Sequence, residues 1–355
     1  MKREPDMTKD PFEEYLMVSE PTKRESAYYW QTAIGLQAVD GLETSDYLKE
    51  TARSSIDGNI SIEKAQVLIE NYYKENPQKT DERTEEADIV SVRIAAILSE
   101  KAFTFSTAQY MSIHERLFKD IYSHAGQFRN YNITKNEWIL NGDTVLYGGA
   151  AELYATLEYD LAQEREFSYA GLSMNEVIRH LAKFVSRLWQ IHVFGEGNTR
   201  TTAVFFIKYL RALGFEVTND IFAKNAWYFR NAMVRANYTN LQIGVHETTE
   251  YLEAFLRNLL LGEENPLQNR SMHISGMFSG QSLQDNPIND PIKLSKREQN
   301  LLRLLRTEPA LTRKALAAEL GCSESTVKRD LHALSDQGII RRIGSKKKGT
   351  WVINK

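Results

Sequence analysis

The sequence predicts a mainly α-helical protein: a helical core, a helical N-terminal region and a C-terminal winged helix-turn-helix. Three observations predict it. From about Ala87 to Leu261 the apolar residues recur at helical spacing. That pattern breaks once, at Trp138–Tyr147, where Asn141-Gly142 between two β-prone runs predicts a β-hairpin. After Leu294 a basic tail reads as three helices followed by two strands.

In chain order, residues 25–40 predict a helix closed by Gly41, and Ser61 predicts the cap of another that runs to Tyr73. Ile113, Leu117, Ile121 and Tyr122 share one helical face. Val177, Leu181, Phe184, Leu188 and Ile191 share a second, and Val204, Ile207, Leu210 and Leu213 a third, ended by Gly214. The polar stretch 263–293, with Asn265-Pro266, Asn286-Pro287 and Asp290-Pro291, reads as a linker. In the tail, Ser295–Arg306 is one helix, Thr312 caps a second and Ser323 a third, and Ile339–Ile343 and Thr350–Ile353 flank the basic loop 344–349. The expected organisation is an N-terminal helical regulatory region (1–86), a core domain (87–262), a linker (263–293) and the winged helix-turn-helix (294–355).

Composition narrows the functional classes. The 355 residues are 42% hydrophobic and 26% charged, with one cysteine, Cys322, which excludes an intramolecular disulfide framework or a zinc ribbon. No run is long and apolar enough for a membrane span, and the first residues lack the apolar stretch of a secretory signal. A cytoplasmic protein without a membrane partner is expected. Net charge is −3, but residues 294–355 hold fourteen Lys/Arg against six Asp/Glu, so a basic tail follows an acidic body. The two parts are expected to meet different partners.

The segment His192-Val193-Phe194-Gly195-Glu196-Gly197-Asn198-Thr199-Arg200 concentrates chemistry. A helix ends near Ile191, a loop with two glycines follows, and a new helix starts near Asn198. Free N–H groups and the positive dipole end at a helix start suit phosphate. Arg200 can grip phosphate oxygens bidentately. His192 suits a general base at neutral pH, and Glu196 suits Mg²⁺ shared with phosphates. Each residue alone also has a structural reading: an interhelical histidine, an ordinary helix entry, a carboxylate serving the dipole. Together they form a phosphoryl- or nucleotidyl-transfer kit.

The segment resembles the signature of Fic (filamentation induced by cAMP) domains, His-x-Phe-x-(Asp/Glu)-Gly-Asn-(Gly/small)-Arg-x-x-Arg. Upstream, Leu117-Phe118, Ile121-Tyr122, Ala125-Gly126 and Arg129 are similar to a second Fic stretch. The resemblance covers roughly residues 111–260. It implies a helical core with a β-hairpin flap and the transfer of AMP from ATP to a Ser, Thr or Tyr hydroxyl of a protein, which could be the chain itself. It implies that His192 deprotonates the hydroxyl, Phe194 packs beneath the loop and Glu196 holds Mg²⁺. Gly195, Gly197, Asn198, Thr199, Arg200 and Thr201 would bind the nucleotide. Tyr228 and Asn231 resemble residues that line the nucleoside pocket, with core packing as the alternative. Trp138, Ile139, Leu140, Val145 and Tyr147 would form the flap that docks the target as an added strand.

Two positions depart from the family pattern. Ala203 replaces the second signature arginine, which in the family grips the γ-phosphate and pairs with an inhibitory glutamate. In the segment that resembles the inhibitory helix, Leu36 replaces Ser/Thr and Asp40 replaces Glu, before Gly41. Asp40 and Gly41 are therefore regulatory candidates, and the N-terminal helices are expected to cover the site by packing rather than by a salt bridge. In the tail, Ser325, Thr326, Lys328 and Arg329 occupy the first turns of the expected recognition helix, placed for DNA. A protein-binding module of the same shape is the alternative. A homo-oligomer is compatible with the sequence. The rival to an adenylyltransferase is a nucleotide-sensing, DNA-binding transcription regulator with a catalytically weak Fic domain.

Overall fold

The computed structural model describes residues 12–18, 20–76, 82–217, 221–277, 296–309, 311–336, 340–343 and 350–353. Eleven helices precede the tail among them: α1 (Glu13–Val18), α2 (Pro21–Gly35), α3 (Asp46–Ile56), α4 (Ile62–Glu75), α5 (Glu82–Ser99), α6 (Thr107–Phe118), α7 (Leu153–Glu166), α8 (Met174–Ile191), α9 (Asn198–Ala212), α10 (Ile221–Ala236) and α11 (Glu250–Leu261). The tail adds α12 (Lys296–Thr307), α13 (Arg313–Glu319), α14 (Glu324–Asp336) and the strands β1 (Ile340–Ile343) and β2 (Thr350–Ile353). The mainly helical class is as expected.

The centre is α9, buried on every side from Asn198 to Leu210. It packs against α5, α6 and α8 and against a 3-10 turn, Leu36–Asp40, that extends α2. A helix with no solvent face needs apolar residues all round, and Val204, Phe205, Phe206, Ile207 and Leu210 supply them. Burying such a side chain contributes about 1.5–3 kcal/mol. Its buried Lys208 finds partners: the ammonium donates to the carbonyls of Ile97 (3.1 Å) and Glu100 at the end of α5. Helix α8 starts with a capping box, in which Ser173 accepts from Glu176 N–H and the Glu176 carboxylate accepts from Ser173 N–H. It ends at His192, whose φ of 53° is left-handed.

Three local expectations change. The N-terminal boundary near residue 86 falls inside α5, one continuous helix, because an apolar run from Ala87 to Leu98 carries it into the core. The 263–293 stretch is not wholly linker-like: Asn269–Met272 and Ile274–Met277 form 3-10 turns, with Met272 and Ile274 buried. The rest of it, from residue 278, lies outside the described residues. The 138–147 segment is not a strand hairpin. Trp138–Leu140 is a 3-10 turn, followed by Asn141 and Gly142 at φ 56° and 85°. Glu137 N–H donates to Asp143 O (2.9 Å) and Gly142 N–H to Glu137 O (2.9 Å), so the chain reverses without a ladder. Adjacent Ile139 and Leu140 are both buried, where a hairpin strand covered on one face would bury only alternate residues.

Contacts divide the chain into two units: residues 1–134 with 145–291, and residues 135–144 with 292–355. In the second, Leu301, Leu305, Leu316, Val327, Leu331, Leu334 and Ile340 form a compact core. Thr312 caps α13 by accepting from Ala315 N–H. β1 and β2 pair antiparallel, Ile340 opposite Ile353. Arg297 clasps Asp330 bidentately at 2.6 and 3.1 Å, tying α12 to α14. The loop 344–349 lies outside the described residues.

Candidate active site

The loop between α8 and α9 carries the signature residues. Gly197, at φ 73°, is the N-cap of α9, and no side chain caps that helix. An uncapped helix start leaves its first N–H groups without a side-chain acceptor, and such groups can donate to an anion. Gly197 is sterically required here, and Gly195 is closely approached by side-chain tips. A Cβ on Gly197 would lie 2.4 Å from the Phe118 ring, and one on Gly195 would lie 2.8 Å from the Tyr131 hydroxyl and 3.1 Å from His124 Nε2. Tyr131 also lines an open groove of about 610 Å³ with Asn130, Asn132 and residues 149–152.

His192 is buried, 3% exposed, between the rings of Tyr147 (centroids 4.4 Å apart) and Trp189 (5.3 Å). Its left-handed backbone is unfavourable for a residue with a Cβ, and Arg129 holds it. The Arg129 guanidinium donates to the carbonyls of His192 (2.7 Å), Tyr131 (2.6 Å), Ile191 (3.3 Å) and Gly148, while its N–H donates to Val193 O (2.9 Å). Burial lowers the pKa of this guanidinium. The match to the upstream Fic stretch picked out Arg129, but sequence gave it no role.

Phe194 is buried beneath the loop. Asn198 does more than sit at the helix start: its amide accepts from Phe194 N–H (3.0 Å) and donates to Phe194 O (2.8 Å). Thr199 accepts from Trp189 Nε1 (3.0 Å), and the buried Thr201 hydroxyl has no hydrogen-bond partner. The Glu196 side chain is exposed. Among the described residues no trio of His, Cys, Asp or Glu is gathered around a metal position. Glu196 is the carboxylate of this loop that could hold a cation shared with phosphate.

His114, on α6, was missed by sequence reasoning because one histidine on an apolar face reads as core. Its ring stacks on Phe194 (centroids 3.6 Å, planes 9° apart), and its two nitrogens meet Gly126 N–H (2.9 Å) and Glu196 O (3.1 Å). Burial depresses its pKa to about 3.

Arg200 is 1% exposed and fully engaged. Its Nε lies 2.8 Å from Asp40 Oδ2, a charge contact rather than an aligned hydrogen bond. Nη1 donates to Gln37 Oε1 (3.0 Å), and Nη2 donates to Glu86 Oε1 (2.6 Å) and the Tyr122 hydroxyl (3.2 Å). The guanidinium also lies over the Phe118 ring at 4.8 Å. Burial alone would lower its pKa, but Asp40, Tyr122 and Glu86 outweigh burial and raise it. Packing without a salt bridge was the expectation for the N-terminal cover. The structure corrects it: Asp40 reaches the first signature arginine, and Ala203 plays no part. The physical reason is that a buried guanidinium requires counter-charge. Gly41, at φ 65°, ends the Leu36–Asp40 turn that presents Gln37 and Asp40.

Tyr228 donates to Tyr251 O (3.2 Å) and Asn231 to Asn269 Oδ1 (2.9 Å), so both serve packing of α10 against α11 and the 269–272 turn. Ile139, Leu140, Val145 and Tyr147 are buried, whereas Trp138 is 41% exposed. A strand-adding flap would use edge N–H and C=O groups, and this one has no regular edge. On α14, Lys328 and Arg329 are exposed, and the Thr326 hydroxyl pairs with the cap residue Ser323 at 2.9 Å. The side chain of Ser325 lies outside the described residues. No helix among the described residues is long and apolar enough to cross a membrane.

Residues 104–210 match the Fic/DOC family, and residues 297–349 match an HTH domain. The chain is 24% identical over 213 residues to the protein adenylyltransferase VbhT of Bartonella schoenbuchensis, covering 56% of this chain and 43% of that one. It is 28% identical over 129 residues to the probable protein adenylyltransferase y4lH of Sinorhizobium fredii, covering 36% of this chain and 64% of that one. The aligned part is thus under two thirds of either relative's length. A solved Fic family protein from Desulfovibrio desulfuricans superposes at a TM-score of 0.41 with 14% identity, over 96% of this chain and 90% of that one. Residues 104–210 are a Fic/DOC-family domain, and residues 297–349 are an HTH domain.

Proposed function

We propose that the Fic domain transfers AMP from ATP to a Ser, Thr or Tyr hydroxyl of a protein, with Mg²⁺ as cofactor. The observation that carries this reading is the juxtaposition in one loop of a braced imidazole, His192, an exposed carboxylate, Glu196, and the uncapped start of α9. The adenylyltransferase names of the aligned relatives support it. His192 takes the proton of the target hydroxyl, whose oxygen attacks the α-phosphorus. The new P–O bond forms as the bond to pyrophosphate breaks. Glu196 would hold Mg²⁺, which screens the phosphate charge, while the first N–H groups of α9 orient the phosphates. In the described state Arg200 is held by Gln37, Asp40 and Glu86, so this conformation is a restrained one and phosphate must displace some of these partners. The test is intact-mass spectrometry after incubation with ATP and Mg²⁺. A gain of one AMP on the chain or on an added protein, abolished by His192→Ala, is the expected result.

The exposed Lys328 and Arg329 on the recognition helix favour DNA as the partner of the HTH domain. A second reading keeps that role and makes nucleotide an effector rather than a substrate. The clamp on Arg200 together with Ala203 favours it. Under that reading ATP changes operator affinity and no label from α-labelled ATP reaches protein.

A further inference from the structure

We infer that His114 is a positioning residue that fixes the backbone of the signature loop, so that the Glu196 carboxylate is presented on a rigid stem. The inference rests on the proposed nucleotide site. The contacts of the ring fix its tautomer. A backbone N–H can only donate, so the 2.9 Å contact from Gly126 N requires a bare, accepting Nδ1. The neutral ring then carries its hydrogen on Nε2, which donates to Glu196 O at 3.1 Å. The ring face lies parallel to Phe194 at 3.6 Å. One α6 side chain thus restrains two loop residues, Phe194 and Glu196, by one contact each, while Gly126 N–H anchors the ring from outside the loop.

The loop is closed from the other side by Asn198, which holds both Phe194 N and Phe194 O. Between these anchors Glu196 has a fixed carbonyl and an exposed side chain. Carboxylates that meet a cation bind better when the groups around them are held, and loss of such an outer contact costs about 10- to 100-fold in affinity. Because His114 is itself wholly buried, it touches neither phosphate nor cation and acts only through the loop.

The test compares full-length His114→Phe, which keeps a stacking ring and loses both hydrogen bonds, with His114→Gln, whose amide can still donate toward Glu196 O. ATP affinity is measured by calorimetry with Mg²⁺ and again in EDTA, and hydrogen exchange is followed at the 193–198 amides. His114→Phe is expected to weaken ATP·Mg²⁺ about 10- to 100-fold, to change ATP alone far less, and to speed exchange in the loop, with partial rescue by His114→Gln. The ring ¹⁵N spectrum of the wild-type chain should show the Nε2–H tautomer. Unchanged ATP·Mg²⁺ affinity in His114→Phe, an equal loss in EDTA, an Nδ1–H tautomer, or a wild-type chain indifferent to ATP·Mg²⁺ overturns the inference. These readouts are separate from transfer. A chain that binds as expected but never moves AMP sinks the proposed reaction alone, and transfer with an unaltered His114→Phe loop sinks this inference alone.

Discussion

Freeing Arg200 on its N-terminal side should strengthen nucleotide binding, and the structure gives the size of the effect. The perturbation is the double variant Gln37→Met/Asp40→Ala. The Asp40 side chain is 37% exposed, so its contact with Arg200 is partly screened and contributes about 1 kcal/mol. Gln37 is wholly buried, and its amide oxygen accepts from a charged donor at 3.0 Å, about 1.5 kcal/mol. Phosphate entering this side of the guanidinium no longer competes with either. Together they allow a gain of about 2.5 kcal/mol, or roughly 70-fold in affinity. Glu86 and Tyr122 still hold Nη2, so the charge remains partnered and the fold persists with a lowered Tm. Calorimetric titration with ATP·Mg²⁺ reads the affinity and circular dichroism checks the fold. A folded double variant that binds ATP·Mg²⁺ no better than wild type refutes the idea that this contact restrains the site.

Three further outcomes follow from particular residues. Gly197→Ala combines a left-handed φ of 73° with a Cβ 2.4 Å from the Phe118 ring, so urea unfolding should show a loss of about 2 kcal/mol or more, and an unaltered midpoint would contradict the packing described. His114 stays neutral in the fold down to about pH 3, whereas the unfolded chain takes up its proton near pH 6.5. Its contribution is therefore fully present above about pH 6.5 and falls by about 1.4 kcal/mol per pH unit as pH drops toward 3, so the slope of stability between pH 7 and 5 should be shallower by about one proton in His114→Phe. Lys328→Ala/Arg329→Ala should reduce the salt dependence of DNA binding by about two phosphate contacts, read from log Kd against log salt, and leave AMP transfer unchanged.

Local chemistry made much of the helical framework legible. Ser61, Thr312 and Ser323 cap their helices as their types predict, and Gly41 and Gly214 follow helical segments in left-handed conformations. The 138–147 loop misled because Asn-Gly does take positive φ, but the burial of neighbouring Ile139 and Leu140 belongs to a 3-10 turn rather than to a strand. The chemical loop could be read because its residues are contiguous. Its supports could not. Gln37 and Arg200 are 163 positions apart, Glu86 and Arg200 are 114, and Arg129 and His192 are 63. No periodicity records such pairings, and only the fold brings them together.

The partners of Arg200 divide by origin, and that division carries its own prediction. Gln37 and Asp40 come from the turn after α2 and address Nη1 and Nε, whereas Glu86, at the start of α5, shares Nη2 with Tyr122. Family resemblance assigns the inhibitory contact to a second arginine one turn further along α9, and here that position is the buried Ala203. The countercharge has therefore met the first arginine, the residue expected to grip phosphate. Removing every partner to admit ATP would leave a buried cation momentarily bare, a large penalty. Exchanging only Gln37 and Asp40 for phosphate, while Glu86 stays, avoids it. Glu86 is then a support of the bound state rather than a block. Glu86→Gln should lower ATP·Mg²⁺ affinity by about 2 kcal/mol, or roughly 30-fold, the opposite sign to the Gln37/Asp40 double variant. If Glu86→Gln instead tightens binding as that variant does, Glu86 belongs to the same restraint and the exchange must empty the whole guanidinium.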